Sequence, residues 1–459
     1  MKTVEILSLA SACLFSNVLN IHAEEKTNRP NLVVIFCDDL GYGDIGCYGN
    51  PTISTPNIDG LACNGLKLTQ FYVGAAVSTP SRSALLTGRL PIRNGLYGDE
   101  DVVLFPDSKA GLGQDEITLA KVLQQSGYAT GCVGKWHLGS FSPYLPTDHG
   151  FDTYFGIPYS NDMSPKQNKG KRAQTYPPTP LILDGKTIET EPDQGELTRR
   201  YTEKAVDFIC KNKDEPFFLY FAHTFPHIPL YTNDRFEGSS KRGLYGDVVQ
   251  EIDWSVGQVV KALRDNHIEE NTLFVFTSDN GPWLVMQENG GSAGALKDGK
   301  GTWWEGGFRV PAVFSMPGTI VPRVSDEIMT TMDIFPTFLA MAGIPMSKDV
   351  VLDGVDQRAF LLEEKNSARD EIYYWWGSEL MAVRKGKWKY YLKTIVNQYL
   401  PTCVIETPKK PLLYNLEIDV SERYNKAEQY PEIVNQLIEV ANLHKKNMVV
   451  KPSVCDLSD

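Results

Sequence analysis

The sequence predicts an α/β protein: a large doubly wound, mainly parallel sheet flanked by helices, then a smaller C-terminal α+β domain with an antiparallel sheet. Three observations carry this. Four short strand-like runs, the first of them continuously apolar, each end abruptly in polar residues, as strands buried on both faces of a parallel sheet do. Segments with apolar residues at helical spacing lie between those runs. After about residue 365 the pattern changes to short aromatic and β-branched runs joined by turns, which suits an antiparallel sheet.

Residues 31–37 form the first run, and it stops at Asp38-Asp39, with Gly41 and Gly43 following. Adjacent carboxylates repel unless a cation or solvent lies between them. A single such pair also reads as a solvated turn. Residues 78–89 read as a short helix, with Ser78 or Thr79 as cap, Pro80 at the first position and Gly88 as a left-handed stop. Ser78 then sits at the positive end of the helix, with Arg82 one turn along, a place that favours an anion. By itself the same stretch reads equally well as a plain helix cap.

Residues 116–126, 196–211 and 245–263 carry apolar stripes at helical spacing, read as core-facing surfaces. Between them, residues 130–134 run into Lys135-Trp136-His137, and residues 216–222 run into His223 and then His227. Residues 273–277 run into Ser278-Asp279-Asn280-Gly281. Open α/β sheets place their sites at these C-terminal strand ends. Residues 282–311 contain a glycine-rich loop that includes Gly299-Lys300-Gly301, without the spacing of a phosphate-cradling P-loop. A helix follows at 333–342, with Asp333 as cap. Residues 371–376, 381–384, 388–392 and 412–416 are the strands of the last domain, and 431–445 its amphipathic helix. The expected division is 1–23, 24–369 and 370–459.

Residues 1–23 have the form of a signal peptide: Lys2, a mostly apolar stretch, and a small-residue end at Ala23. No later stretch is long and apolar enough to span a bilayer. The expectation is an exported bacterial protein, periplasmic or secreted, without stable membrane insertion. A formal net charge of −12 argues against a general nucleic-acid binder and requires any anion site to be locally cationic. Cys37, Cys63, Cys132 and Cys210 fall in apolar or packed contexts and read as buried thiols. Cys403 and Cys455 flank the C-terminal region as a candidate disulfide.

Taken together, the strand ends have a chemistry. Asp38, Asp39, Asp279 and Asn280 offer hard oxygen ligands suited to Ca²⁺ or Mg²⁺. Lys135, Lys300 and Arg82 are cations, and His137 and His227 can carry protons. Three carboxylates, a divalent ion and three cations sum to about +2, a pocket for an anion.

The sequence resembles the type I, formylglycine-dependent sulfatases of the alkaline-phosphatase superfamily. The residues that carry the likeness are Ser78-Thr79-Pro80-Ser81-Arg82 with Leu86-Thr87-Gly88-Arg89, Asp38-Asp39-Leu40-Gly41-Tyr42-Gly43-Asp44 and Gly134-Lys135-Trp136-His137-Leu138-Gly139. Ser278-Asp279-Asn280-Gly281-Pro282 and Gly299-Lys300-Gly301 extend it over nearly the whole mature chain. Residues 156–163 look like the branch containing arylsulfatase A and N-acetylgalactosamine-6-sulfatase. The resemblance implies Ca²⁺ on Asp38, Asp39, Asp279 and Asn280, with Mg²⁺ still open. It implies that a maturation enzyme oxidises Ser78 to formylglycine and that Arg82 steadies that residue. Lys135 and Lys300 would hold the sulfate, His227 would protonate the leaving oxygen, and His137 would be the base when sulfate is expelled. The hydrated aldehyde has two hydroxyls on one carbon: one attacks sulfur, and deprotonating the other expels sulfate. A plain serine would be trapped as its sulfate ester.

The expected activity is hydrolysis of O-sulfate esters of glycans, exo-acting, on sulfated galactose or N-acetylgalactosamine. Asn161 and Asp162 are candidate contacts for sugar hydroxyls, and Trp303, Trp304 or Trp376 for stacking on a ring. Ordinary loop structure and packing are the plainer readings for these residues. Two other functions stay open on the sequence: a phosphate or phosphonate monoester hydrolase of the same superfamily, and a catalytically silent binder of sulfated glycans with Ser78 unmodified.

Overall fold

Ten strands form one sheet in the computed structural model, which describes residues 29–346, 350–397 and 404–457. In chain order they are β1 (Asn31–Cys37), β2 (Leu66–Tyr72), β3 (Ala129–Gly134), β4 (Thr153–Gly156) and β5 (Pro180–Leu183). β6 (Lys186–Thr190), β7 (Phe217–Ala222), β8 (Thr272–Ser278), β9 (Arg309–Ser315) and β10 (Arg323–Thr330) complete it. The order across the sheet is β10-β2-β9-β8-β1-β7-β3-β4-β5-β6. The central block β8-β1-β7-β3-β4 is parallel throughout. β9 runs antiparallel to both β8 and β2, and β5 and β6 add an antiparallel edge. The sheet is therefore mixed, and its parallel centre holds the four strands whose apolar runs stood out in the sequence.

Every residue of β1 is buried, and its side chains alternate between two cores. Leu32, Val34 and Phe36 meet the face covered by the Leu119–Gln125 and Ile334–Met341 helices. Val33, Ile35 and Cys37 meet the face covered by Leu197–Asn212 and Leu244–Asp265. A strand buried on both sides can only be apolar throughout, which is why its sequence shows no alternation.

The C-terminal region forms a four-stranded antiparallel sheet of β11 (Glu371–Trp376), β12 (Glu379–Lys385), β13 (Trp388–Tyr391) and β16 (Leu412–Asn415). β14 (Thr394–Asn397) and β15 (Val404–Glu406) pair separately. The Pro431–Asn447 helix lays Val434, Leu437 and Ala441 against this sheet. A buried polar network ties the sheet to the large one. Lys389 Nζ lies 3.0 Å from Glu305 Oε1 and 3.2 Å from Glu422 Oε1, and Tyr72 and Tyr374 donate to Glu305 at 2.5 and 2.8 Å.

Several expectations need correction. The residue that caps the Ser78–Thr87 helix is Val77, not Ser78 or Thr79, and it makes no side-chain cap bond. Pro80 falls at the third helical position, not the first. Gly88 does stop the helix with φ 65°. Residues 282–311 are not one loop, because a 3₁₀ segment (Leu284–Asn289), a short helix (Glu305–Phe308) and the start of β9 interrupt them. Cys37 and Cys132 are buried, but Cys63 and Cys210 are exposed at helix surfaces. Trp303 is buried near Trp376 and donates to the Lys393 carbonyl, and Trp304 packs on Tyr391. All three are buried where the two sheets meet, in keeping with the plainer packing reading of them. The proposed leader and Cys403 lie outside the described residues. No helix among the described residues is long and apolar enough to cross a membrane.

Candidate active site

The site is assembled where β1, β8, β3 and β7 end. Asp38 and Asp39 follow β1, Asp279 and Asn280 follow β8, Lys135 follows β3, and His227 lies in the turn after β7. Parallel neighbours in register end side by side, so the polar residues just beyond them converge. Gly134 makes one of these approaches possible. Its φ is 102°, and a Cβ there would sit 1.8 Å from the Ala222 carbonyl oxygen, to which Lys135 N–H donates at 2.8 Å.

Ser78 projects from the first helical position into this cluster. Its Oγ donates at 2.6 Å to Asp279 Oδ2, lies 3.0 Å from Asp38 Oδ1 and accepts from Lys135 Nζ at 3.3 Å. Arg82, fully buried, donates to Asp279 Oδ2 at 2.8 Å and lies 3.5 Å from Asp38 Oδ1. Thr79, the other expected cap, donates to the His137 carbonyl and accepts from Leu104 N–H. The hydroxyls that would cap an ordinary helix are both used by the site, which explains the uncapped start.

Asp38, Asp39 and Asp279 each bring a carboxylate oxygen within 4.8 Å of the others, all buried. Lys135 Nζ lies 2.5 Å from Asp38 Oδ2, and Lys300 Nζ 2.8 Å from Asp39. Burial pushes Asp38 up, but Lys135, His227, Arg82 and Lys300 outweigh it and hold the carboxyl well below the usual range. Asp279 goes the other way: burial, with Asp38 beside it, raises it to about 6 against Arg82. Asn280 donates from Nδ2 to Asp39 Oδ1 at 2.7 Å, and its Oδ1 is buried without a partner. Three converging carboxylates plus an unsatisfied amide oxygen fit a hard divalent cation, the amide turning over to offer that oxygen.

The histidines differ in exposure to the site and in tautomer. His137 has φ 64°, and so does Asp39; two non-glycine residues in the left-handed region cost about 1–3 kcal/mol each, a strain that clusters at functional sites. His137 Nε2 lies 2.9 Å from the Leu104 carbonyl. A carbonyl only accepts, so Nε2 carries the proton and the buried, unpartnered Nδ1 holds a free lone pair. Burial and Lys135 hold His137 well below its ordinary value, so the ring is neutral. His227 donates from Nδ1 to the Ile228 carbonyl at 2.5 Å, which leaves Nε2 facing Asp39 Oδ2 at 3.7 Å. Burial and Lys300 lower its pKa as well. His223, also at the end of β7, is fully buried against Phe221 with both ring nitrogens unpartnered and takes no part in the cluster.

Asn161 and Asp162 lie in the turn that begins after β4. Asn161 is buried, and its Nδ2 is used inside the fold, donating to Gln194 and to the Pro229 carbonyl. It therefore braces the His227 turn. Asp162 is half-buried, with an unpartnered Oδ1, and its charge acts on His227. Two residues at the site were missed in the sequence. Ser160 Oγ lies 3.3 Å from Lys135 Nζ and 3.5 Å from His227 Nδ1. Trp283 lies 4.5 Å from Lys300 Nζ, measured to the ring centre, and 5.5 Å from the His227 ring. Both residues stand within or beside the strand-end stretches that drew attention, but a serine or tryptophan there has no signature of its own.

The sulfatase family profile matches residues 30–344, and that of the C-terminal region of aryl-sulfatase matches residues 367–459. Human arylsulfatase A is 41% identical over 424 residues, covering 86% of this chain and 83% of that protein. Dog N-acetylgalactosamine-6-sulfatase is 36% identical over 468 residues, covering 93% and 88%. Among solved structures, the PsFucS1 sulfatase from Pseudoalteromonas sp. superposes with a TM-score of 0.84 at 29% identity, covering 95% of each chain. With both profiles matched and two curated relatives aligned over most of their length, the chain belongs to the sulfatase family of sulfuric ester hydrolases.

Proposed function

We propose that this protein is an exported, exo-acting sulfatase that removes O-sulfate from galactose or N-acetylgalactosamine residues of glycans. The reading is supported above all by Ser78, held between Asp38, Asp279, Arg82 and Lys135 at the start of a buried helix. The similarity to N-acetylgalactosamine-6-sulfatase favours the sugar class. In this reading residues 24–369 are the catalytic domain and 370–459 a supporting subdomain. Residues 1–23 are the leader, removed on export to the periplasm or beyond. Ser78 is converted to formylglycine by a maturation enzyme, and Asp38, Asp39, Asp279 and Asn280 hold Ca²⁺. Once formed, the aldehyde would supply a hydrated nucleophile, and a cation held by these four residues would offset charge on the sulfuryl oxygens.

The chain's own residues do the rest. Lys135 and Lys300 bind the sulfate oxygens from two sides, and Arg82 fixes the Ser78 side by its bond to Asp279. His227 Nε2 faces the same space, and when protonated it donates to the bridging oxygen. A bound sulfate ester brings a negative charge beside a ring that burial and Lys300 otherwise keep neutral, so substrate itself favours the acid form. His137, neutral with a free Nδ1 lone pair, takes a proton when sulfate is expelled. Asp162, whose charge acts on His227, would accept from a sugar hydroxyl.

The test is sulfate release from galactose and N-acetylgalactosamine sulfates, measured beside the matching phosphate esters. Protein from a host that oxidises Ser78 is used, and the mass of the Ser78 peptide is read in the same sample. Turnover of sulfate esters that scales with the fraction two mass units lighter is expected. Turnover of the phosphate esters alone, or sulfate release by wholly unmodified protein, would overturn it.

A further inference from the structure

We infer that Trp283 is a specificity residue of this site, a wall against which the ring of the leaving group lies, so that cyclic sulfate esters are preferred over acyclic ones. The inference rests on the sulfatase reading and goes beyond it, because none of the anion-binding groups requires an aromatic neighbour.

Trp283 follows β8 and the Asp279-Asn280-Gly281-Pro282 turn, and the loop behind it folds back on itself. Met286 N–H donates to the Trp283 carbonyl, and a Cβ on Gly290 would sit 2.1 Å from that same oxygen. Lys300 N–H donates to the Pro282 carbonyl, so the backbone that carries the indole also fixes the root of Lys300. The side chain is half-buried, unlike the wholly buried Trp303. Its ring centre lies 4.5 Å from Lys300 Nζ and 5.5 Å from the centre of the His227 ring, and the two rings are tilted by 41°.

Those distances constrain the substrate. His227 and Lys300 are the two candidate donors to the bridging oxygen. A donor reaches an acceptor at about 3 Å. An oxygen shared by both donors lies between two groups that themselves border the indole, which sets the indole beside the leaving-group side of the site. Ring C–H groups of a pyranose, or an aryl face, cover such a surface, whereas a short flexible chain covers little of it and loses more freedom on binding. In this binding mode Lys135 and Ser78 take sulfate oxygens on the far side of the site, and Lys300, which borders the indole, spans a sulfate oxygen and the bridging oxygen, so the wall bears on the leaving group.

The experiment uses full-length protein with Ser78 unmodified, so that ligands bind without turnover. Binding of galactose 6-sulfate, p-nitrophenyl sulfate and inorganic sulfate is measured by calorimetry for wild type, Trp283→Ala and Trp283→Phe. Trp283→Ala should weaken both ring esters about fivefold to tenfold and inorganic sulfate less than about twofold, and Trp283→Phe should recover most of the loss. An equal loss for inorganic sulfate would mean that the indole acts only by holding Lys300, and unchanged ring-ester binding would mean that it touches no substrate. Either overturns the inference and leaves the sulfatase reading in place. Failure of the wild type to bind any of the three ligands would overturn that reading and this one with it.

Discussion

The Ser78 hydroxyl donates to Asp279 Oδ2 at 2.6 Å, although 201 residues separate them in the chain. The same oxygen accepts from Arg82 at 2.8 Å, so the Ser78 side chain, the helix and the strand end are fixed through one carboxylate. This relationship draws the Ser78 hydroxyl into the strand-end cluster and away from a capping role.

Ser78→Ala is therefore expected to abolish sulfate-ester turnover while leaving the fold intact, because Val77 and not Ser78 occupies the cap position. Ser78→Cys should be active in hosts whose maturation system accepts cysteine. Circular dichroism and sulfate release check both, and full activity in Ser78→Ala would exclude covalent catalysis here.

Asp39→Ala and Asn280→Ala should each lose Ca²⁺. Elemental analysis and thermal melts read this without any assay of activity. A ligand that binds only the folded chain stabilises it by about 2.7 kcal/mol at one hundred times its Kd. Added Ca²⁺ should thus raise the wild-type Tm and leave that of Asp39→Ala unmoved. A wild-type Tm insensitive to both Ca²⁺ and chelator would refute the site.

His227→Ala should slow hydrolysis of a sugar sulfate by roughly 10²–10⁴, the usual range for a general acid. An activated aryl sulfate, whose phenolate leaves without a proton, should lose far less. Paired kcat/KM values decide, and equal losses would assign His227 to binding and pass the acid role to Lys300.

A pH prediction concerns the buried junction between the two sheets. Burial pushes Glu305 up, but Lys389, Arg384, Arg309 and the Tyr72 hydroxyl outweigh it and hold the carboxyl at about 2. An unfolded glutamate titrates near 4.3, so the folded state favours the ionised form. This contribution is complete above about pH 4.3 and is lost as pH falls towards 2; it is on the order of 3 kcal/mol. Glu422, pushed up by burial, offsets part of it. Glu305→Gln should flatten the fall in Tm below pH 4.5. Lys389→Met should cost about 3–5 kcal/mol at neutral pH, because it strands buried carboxylates, and less in acid. An unchanged acid profile in Glu305→Gln would show that the network carries no such linkage.

Composition and pattern were enough to locate the strands at the centre of the sheet and the residues at their ends. β1, β3, β7 and β8 are buried on both faces, so composition alone marks them, and their ends are marked by the switch to charge. The same patterns also located the C-terminal antiparallel sheet, through its aromatic and β-branched runs. The edge strands β6 and β10 were not legible, because β6 is mostly exposed, β10 is partly so, and their residues are mixed. Nor was β9, hidden at the end of a glycine-rich stretch. Tertiary structure alone decided which hydroxyls serve the site, since the same Ser78 and Thr79 that suit a cap are drawn to Asp279 and to the His137 carbonyl. It decided that Trp303, Trp304 and Trp376 join the two sheets while Trp283 borders the site, a distinction of burial that no indole carries in its sequence. It also decided the tautomers of His137 and His227, because each depends on one carbonyl brought to a ring nitrogen by the fold. Local patterns record what a segment must bury, and contacts between segments far apart in the chain set the chemistry of the side chains left over.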